Sequence, residues 1–172
     1  MTDKIDLFYG VLPSPIGALS FAWDDNGVLY FASFGDDFQN AMALLEKSWG
    51  KPIAFNKAEV IPKIKSAIED YFKGNFAGID KIEVKMAGTP FQMKSWQALR
   101  TIPHGQTISY QEQARRVGNI KAVRAIGGAN HANPIPLVVP CHRVIGKNGK
   151  MVGFGGGIDI KEWLLAHEKA NV

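Results

Sequence analysis

Cys141 is the only cysteine of a 172-residue chain, and His142 follows it within Pro140-Cys141-His142-Arg143-Val144. A single thiol cannot close an intramolecular disulfide and falls short of the ligand set of an ordinary structural zinc site. Two uses remain: a small buried hydrophobe, or a nucleophile. Only the thiolate attacks efficiently, and an unperturbed thiol is a few per cent ionised near neutrality. A nucleophilic Cys141 therefore needs a base or cation beside it. His142 is next in sequence, but neighbours on an extended backbone point to opposite sides. Direct proton transfer would need a turn at this point, or a bridging water. A basic histidine usually has a carboxylate that orients it. Beyond residue 87 the chain offers Glu112, Asp159, Glu162 and Glu168. The first three fall at helix starts, as caps. Glu168 falls near a helix end, where the dipole disfavours a negative charge. It is either the orienting group or an ordinary surface glutamate.

The elements that must position these residues are legible around them. Gly88-Thr89-Pro90 marks a boundary: Thr89 suits an N-cap, Pro90 the first helical position, and Gln92 completes a capping box. A helix is expected from Pro90 to about Thr101, stopped by Pro103 and Gly105. Ser109-x-x-Glu112 opens a short helix to Val117. Gly118-Asn119 breaks it, and Ile120 to His131 forms the next. Two short helices around a glycine turn match either a helix-turn-helix or a plain helical hairpin. In the first case Lys121 and Arg124 lie exposed on the recognition helix. Asn133-Pro134-Ile135-Pro136 cannot be helical, and the buried run Leu137-Val138-Val139 delivers Cys141. A glycine-rich stretch from Gly146 to Gly157 follows, without the signature of a P-loop or a dinucleotide site. Asp159-x-x-Glu162 reads as a third capping box, opening a last helix to about Lys169.

Residues 1–87 read as a separate α/β unit with an antiparallel sheet. Strands are expected at Leu7–Val11, Ala18–Trp23 and Val28–Phe34, the last two joined by an Asn26-Gly27 hairpin. Helices are expected at Phe38–Trp49 and Ile61–Phe72. This unit carries no chemical motif, so its role is structural.

The charge is divided along the chain. Residues 1–87 hold nine Lys/Arg against twelve Asp/Glu, a net −3, and residues 88–172 hold eleven against four, a net +7. All five arginines lie in the basic part. That asymmetry fits a domain facing a polyanion, or merely a solvated basic surface. No apolar run approaches a membrane span, and the N-terminus lacks the apolar stretch of a signal peptide. One unpaired cysteine fits a reducing compartment, so a cytoplasmic protein is expected, nuclear if its source has a nucleus.

A nucleophile beside such helices and such charge suggests chemistry on nucleic acid, and here the chain resembles the O6-alkylguanine-DNA alkyltransferases. The likeness rests on Pro140-Cys141-His142-Arg143-Val144, Gly88-Thr89-Pro90-Phe91-Gln92, Ile108-Ser109-Tyr110, Ala122-Val123-Arg124-Ala125-Ile126-Gly127, Asn133-Pro134 and Lys161-Glu162-Trp163-Leu164-Leu165. It spans residues 88–172 in order and spacing. Residues 1–87 resemble the family's variable first domain only in size and in the strand-rich start.

The resemblance implies a ribonuclease-H-like α/β first domain and a mostly α, winged-helix or helix-turn-helix second domain. It implies one irreversible, single-turnover transfer of an alkyl group from guanine O6 in double-stranded DNA to Cys141, with thymine O4 as an open alternative donor. His142 would be the base, through a water, oriented by Glu168, and Asn133 would brace the turn. Tyr110 would hydrogen-bond the guanine at N3. Arg124 would replace the flipped nucleotide from the minor groove, with Lys121, Ala125, Gly127 and Arg143 also at the DNA. Val152, Gly153, Phe154 and Gly155 would wall the pocket. No cofactor, metal or membrane is implied, and a monomer is expected. Phe154 stands where many relatives carry a tyrosine and Gly155 where some carry a serine, which removes hydroxyls from that wall. A lesion-flagging protein without transfer, a winged-helix transcription factor and a cysteine hydrolase are the rival readings.

Overall fold

The computed structural model describes residues 3–154 and 156–172. The chain divides into two compact units, Met1–Ala87 and Gly88–Val172.

The first unit is a four-stranded sheet with two helices. Strands β1 (Ile5–Leu12), β2 (Leu19–Trp23), β3 (Leu29–Phe34) and β4 (Ile53–Lys57) lie in the order β3-β2-β1-β4. The sheet is mixed, not antiparallel as expected. Helix α1 (Gln39–Trp49) returns the chain after β3, so β4 runs parallel to β1, pairing Ile5 with Ile53 and Tyr9 with Lys57. A helical crossover of this kind is what parallel neighbours require. The Asn26-Gly27 turn joins β2 to β3 as expected. The Asp24 carboxylate accepts from the amides of Asn26 and Val28, and Gly27 takes φ 77°. All of β2 is buried, Leu7, Ala22, Tyr30, Leu45 and Ile53 form a core cluster, and α2 (Pro62–Phe72) contributes Ile64, Ala67, Ile68 and Tyr71 to the interior.

The second unit is mostly helical. Helix α3 (Pro90–Leu99) starts with the complete capping box: Gln92 N–H donates to Thr89 Oγ1 at 3.1 Å, and Thr89 N–H to Gln92 Oε1 at 2.9 Å. Helix α4 (Tyr110–Val117) has Ser109 as its cap, but the Glu112 side chain binds Arg115 and Arg116 instead of closing the box. Gly118, at φ 95°, ends α4 with a left-handed cap. Helix α5 runs Val123–His131, so Lys121 lies in the preceding turn and not on the helix; its amide bonds the Asn119 side chain. The third expected box does not form either. Helix α6 (Ile158–Ala170) starts after Gly157, at φ 99°, with Asp159 in its first turn rather than at its cap.

Buried polar bonds fix α3, α4 and α5 to one another. Trp96 Nε1–H donates to the Ala129 carbonyl at 2.8 Å. The Gln113 and Asn130 amides bond each other in both directions, at 2.9 and 2.7 Å, and Gln113 also donates to the Ser95 carbonyl. Such a fully bonded network specifies one packing, because every alternative leaves buried groups unpaired. Two strands that periodicity does not reveal, β5 (Ile108–Ser109) and β6 (Val144–Ile145), pair in parallel. They are two residues each, too short to show a period, and they hold the segment after Cys141 beside the start of α4.

Candidate active site

Cys141, His142 and Arg143 form a single 3-10 turn, all three buried. Val138 and Val139, just before the turn, are buried, and Leu137 takes φ 75°, a left-handed backbone unusual for leucine. Asn133 braces the approach: its amide donates to the Val139 carbonyl at 2.8 Å, and its oxygen accepts from Ile135 N–H at 3.0 Å. Successive side chains of a 3-10 turn diverge by about 120°, so Cys141 and His142 are neither opposed nor parallel.

Helix α6 supplies the facing groups. Lys161, Leu164 and Glu168 lie on one stripe of that helix and are all fully buried. Glu168 Oε2 lies 2.6 Å from His142 Nε2, and Oε1 accepts from Arg143 Nε at 2.7 Å. Burial alone would raise the Glu168 carboxyl; His142 and Arg143 outweigh it and hold the group below the usual carboxylate range. Facing an ionised oxygen, Nε2 must carry the ring proton, which leaves a lone pair on Nδ1. Burial pushes the imidazole pKa down despite Glu168, so His142 rests neutral. Nδ1 has no hydrogen-bond partner in the protein among the described residues. A buried, unprotonated, uncommitted nitrogen one residue from a thiol is a base in waiting.

The thiol is held protonated at rest. Burial pushes Cys141 up; a hydrogen bond from the Asn133 side chain and the charge of Lys161 pull the other way without cancelling it. Tyr110 stays a phenol, raised first by burial and then by the nearby sulfur, and donates its hydroxyl to the Val152 carbonyl at 3.3 Å. Arrangement and protonation together give a thiol, an acceptor for its proton and a neutral phenolic donor.

Arg143 does not lie where a phosphate contact would need it. It is 4% exposed and donates to Glu168, to the Ile102 carbonyl at 2.7 Å and to His104 Nδ1. The turn swings it inward, where the buried Glu168 needs a permanent cation. Of the remaining expected contact residues, Arg124, Ala125 and Lys121 are exposed and Gly127 is half-buried. The glycines Gly127 and Gly128 touch nothing that a side chain would displace, so internal packing does not account for them. Val152 offers its carbonyl to Tyr110 and Lys161, Gly153 is exposed, Phe154 is half-buried, and Gly155 lies outside the described residues.

Lys161 was not singled out for a role from sequence. Its ammonium donates to the Val144 carbonyl at 2.6 Å and the Val152 carbonyl at 3.1 Å. The one signal available was its place on the inward stripe with Leu164 and Glu168. A lysine there is ordinarily read as surface.

The chain is similar to several known proteins. The family described as the DNA binding domain of 6-O-methylguanine DNA methyltransferase matches residues 90–170. The methylated-DNA–protein-cysteine methyltransferase of Haemophilus influenzae is 39% identical over 163 residues, covering 95% of this chain and 87% of its own. That of Salmonella typhimurium is 54% identical over 105 residues, 61% of either chain. The crystal structure of Mycobacterium tuberculosis OGT in complex with DNA superposes with a TM-score of 0.78 at 36% identity, covering 95% of this chain and 94% of the other. With relatives at about 40% identity over nearly the whole chain, it belongs to the methylated-DNA–protein-cysteine methyltransferase family.

Proposed function

We propose that the protein reverses alkylation damage in double-stranded DNA by transferring the alkyl group of O6-alkylguanine to Cys141. The observation that carries this reading is the His142 ring, tied through Nε2 to ionised Glu168 and, among the described residues, without a hydrogen-bond partner at Nδ1. As substrate binds, the thiol proton passes to Nδ1, through a water where the diverging side chains require one. The sulfur attacks the alkyl carbon; the S–C bond forms as the C–O6 bond breaks. The electron pair stays on the purine, which takes a proton at N3 from Tyr110. Proton exchange then restores the phenol and neutral His142. The sum is thiol plus O6-alkylguanine giving thioether plus guanine. A thioether is a stable product, so each molecule acts once.

An O6 substituent lies inside the base stack, so the nucleotide must be flipped out, at a cost of a few kcal/mol. Helices α4 and α5 act as the helix-turn-helix, with α5 in the minor groove and Arg124 filling the gap. Exposed Ala125 and Gly128 let the helix approach closely. Lys121 contacts phosphate from the preceding turn, supplying affinity without sequence preference. The protein works as a monomer in the compartment that holds the DNA, and O4-alkylthymine is the donor to test beside O6-alkylguanine.

The test is the intact mass of the protein after incubation with a duplex containing O6-methylguanine. One methylene mass gained, and none in Cys141→Ala, is expected. Full duplex binding with an unchanged mass would identify a lesion-flagging protein instead. Turnover of an acyl substrate would identify a hydrolase.

A further inference from the structure

Arg143 is held from two directions, and one of them lies outside the groups described so far as catalytic. Helix α6 supplies Glu168, whose Oε1 accepts from Nε at 2.7 Å and whose Oε2 accepts from Nη2 at 3.1 Å. The other direction is the short segment between α3 and β5. There the Ile102 carbonyl accepts from Nη1 at 2.7 Å, and His104 Nδ1 meets Nη2 at 2.5 Å. A guanidinium offers only donors, so Nδ1 must present its lone pair, and the neutral ring carries its proton on Nε2. The segment is shaped for this. Pro103 to Gln106 form a turn, closed by the Gln106 N–H on the Pro103 carbonyl at 3.2 Å. Its third residue, Gly105, takes φ 80°, which a type II turn requires. A Cβ there would also lie 2.6 Å from Val172 Cγ2, so backbone and packing both favour glycine. The turn sets half-buried His104 against the same guanidinium that Ile102 reaches.

Of these two acceptors the carbonyl is present whatever the residue, and the imidazole is not. Its loss would have a specific consequence. Nη2 is shared between His104 Nδ1 and Glu168 Oε2, and Oε2 is also the oxygen that His142 Nε2 faces at 2.6 Å. A buried donor is costly to leave unpaired, so an Nη2 deprived of one acceptor turns to the one that remains. Without His104, Arg143 and His142 compete for Oε2. We propose that His104 is a positioning residue for the transfer: by accepting from Arg143 Nη2, it leaves Glu168 Oε2 to orient the His142 base. The relay runs His104–Arg143–Glu168–His142, from a half-buried turn to the ring that takes the thiol proton, with every link at 3.1 Å or less. The assignment rests on Cys141 as nucleophile and His142 as its base, as the proposed function has it.

A ring that only fills space and a ring that accepts a hydrogen bond predict opposite results from two substitutions. His104→Phe keeps the flat ring and removes the acceptor. His104→Asn loses the ring and places an amide oxygen near the position of Nδ1. If His104 only packs, phenylalanine is tolerated and asparagine is not. If it positions Arg143, the order is reversed.

We expect His104→Phe to take up methyl from an O6-methylguanine duplex about tenfold more slowly at saturating DNA, the rate equivalent of one hydrogen bond to a charged group. His104→Asn should recover most of that rate, and duplex affinity should be the same throughout. A wild-type rate in His104→Phe, no recovery in a folded His104→Asn, or a loss confined to duplex affinity overturns the proposal. Should either variant not fold, the wild type decides alone. In its 15N-histidine spectrum at mildly alkaline pH, His104 should show a bare, hydrogen-bonded Nδ1, and a protonated Nδ1 overturns the proposal. Cys141 is the sole cysteine, so its alkylation by iodoacetamide without DNA is followed in parallel. If the wild type takes up no methyl, the repair reading fails. The alkylation order, fastest in the wild type and slowest in His104→Phe, then still judges this one.

Discussion

The interiors of the two units are built on different terms. In the first, the buried residues are apolar except Ser20, and the largest are Trp23, Tyr71 and Phe21. In the second, Ser95, Gln113, Asn130, Asn133, His142, Arg143, Lys161 and Glu168 are buried alongside Trp96 and Leu99. Area removed from water holds the first unit together at about 25 cal/mol per Å². In the second, the same effect is partly spent on keeping four ionisable groups out of water, each tolerable only while its partners stay in place. The contrast teaches what charge in a dry place requires: each buried ionisable group must be matched by partners that the surrounding packing holds in place.

That contrast can be broken at several points. Glu168→Gln, in the second unit, should cost about 3–5 kcal/mol, the usual consequence of removing one partner from a buried ion pair. It should also abolish efficient transfer, since the carboxylate charge is lost and one of the two oxygens that fix Arg143 and His142 becomes a donor. Urea unfolding and single-turnover methyl uptake measure the two effects. Leu7→Ala, in the first unit, should cost about 2–5 kcal/mol for a fully buried leucine. Its transfer rate per folded molecule should stay unchanged. A rate loss there would show that the first unit does more than fold.

Acid should separate the two kinds of interior further. His142 is held below its ordinary value of 6.5 and Glu168 below 4.5, so each binds more protons unfolded than folded. Each contribution is complete above the unfolded pKa and is lost as pH falls through the folded one. Stability should therefore decline below about pH 6.5 and again below about 4.5. His142→Phe should flatten the first decline, and an unchanged profile in that variant would remove His142 as its source. The smallest effect is expected on α5. Gly128→Ala should stabilise the helix by about 0.5–1 kcal/mol, because a methyl there meets nothing. It should weaken binding to duplex DNA, measured by anisotropy, if that face lies against the groove.

Much of this site was legible before any coordinates. Thr89, Ser109 and Gly118 announce helix ends because capping is local chemistry, and Cys141-His142 announces itself by type and adjacency. Glu168 was singled out on an argument about the helix dipole and on the resemblance, and the structure places it against His142. What escaped depends on contacts distant in sequence. The inward turn of Arg143 follows from a carboxylate 25 residues away, which no local pattern encodes. Asp159-x-x-Glu162 has the letters of a capping box, yet Gly157 at φ 99° already turns the chain into α6 two residues earlier. Strand β4 has two large apolar residues, too few to show alternation, and owes its place to the crossover through α1.

The reciprocal amide pair between α4 and α5 has a consequence for how this protein can change. Gln113 and Asn130 each give and take one bond with the other, so replacing either strands its neighbour in a dry interior at about 1–3 kcal/mol. Neither position has a cheap first step, and together they must drift as a couple or stay as they are. The α4–α5 corner is thus held in its present geometry against mutation as firmly as against thermal motion, while exposed positions between them, such as Ile120 and Val123, are left at liberty to vary.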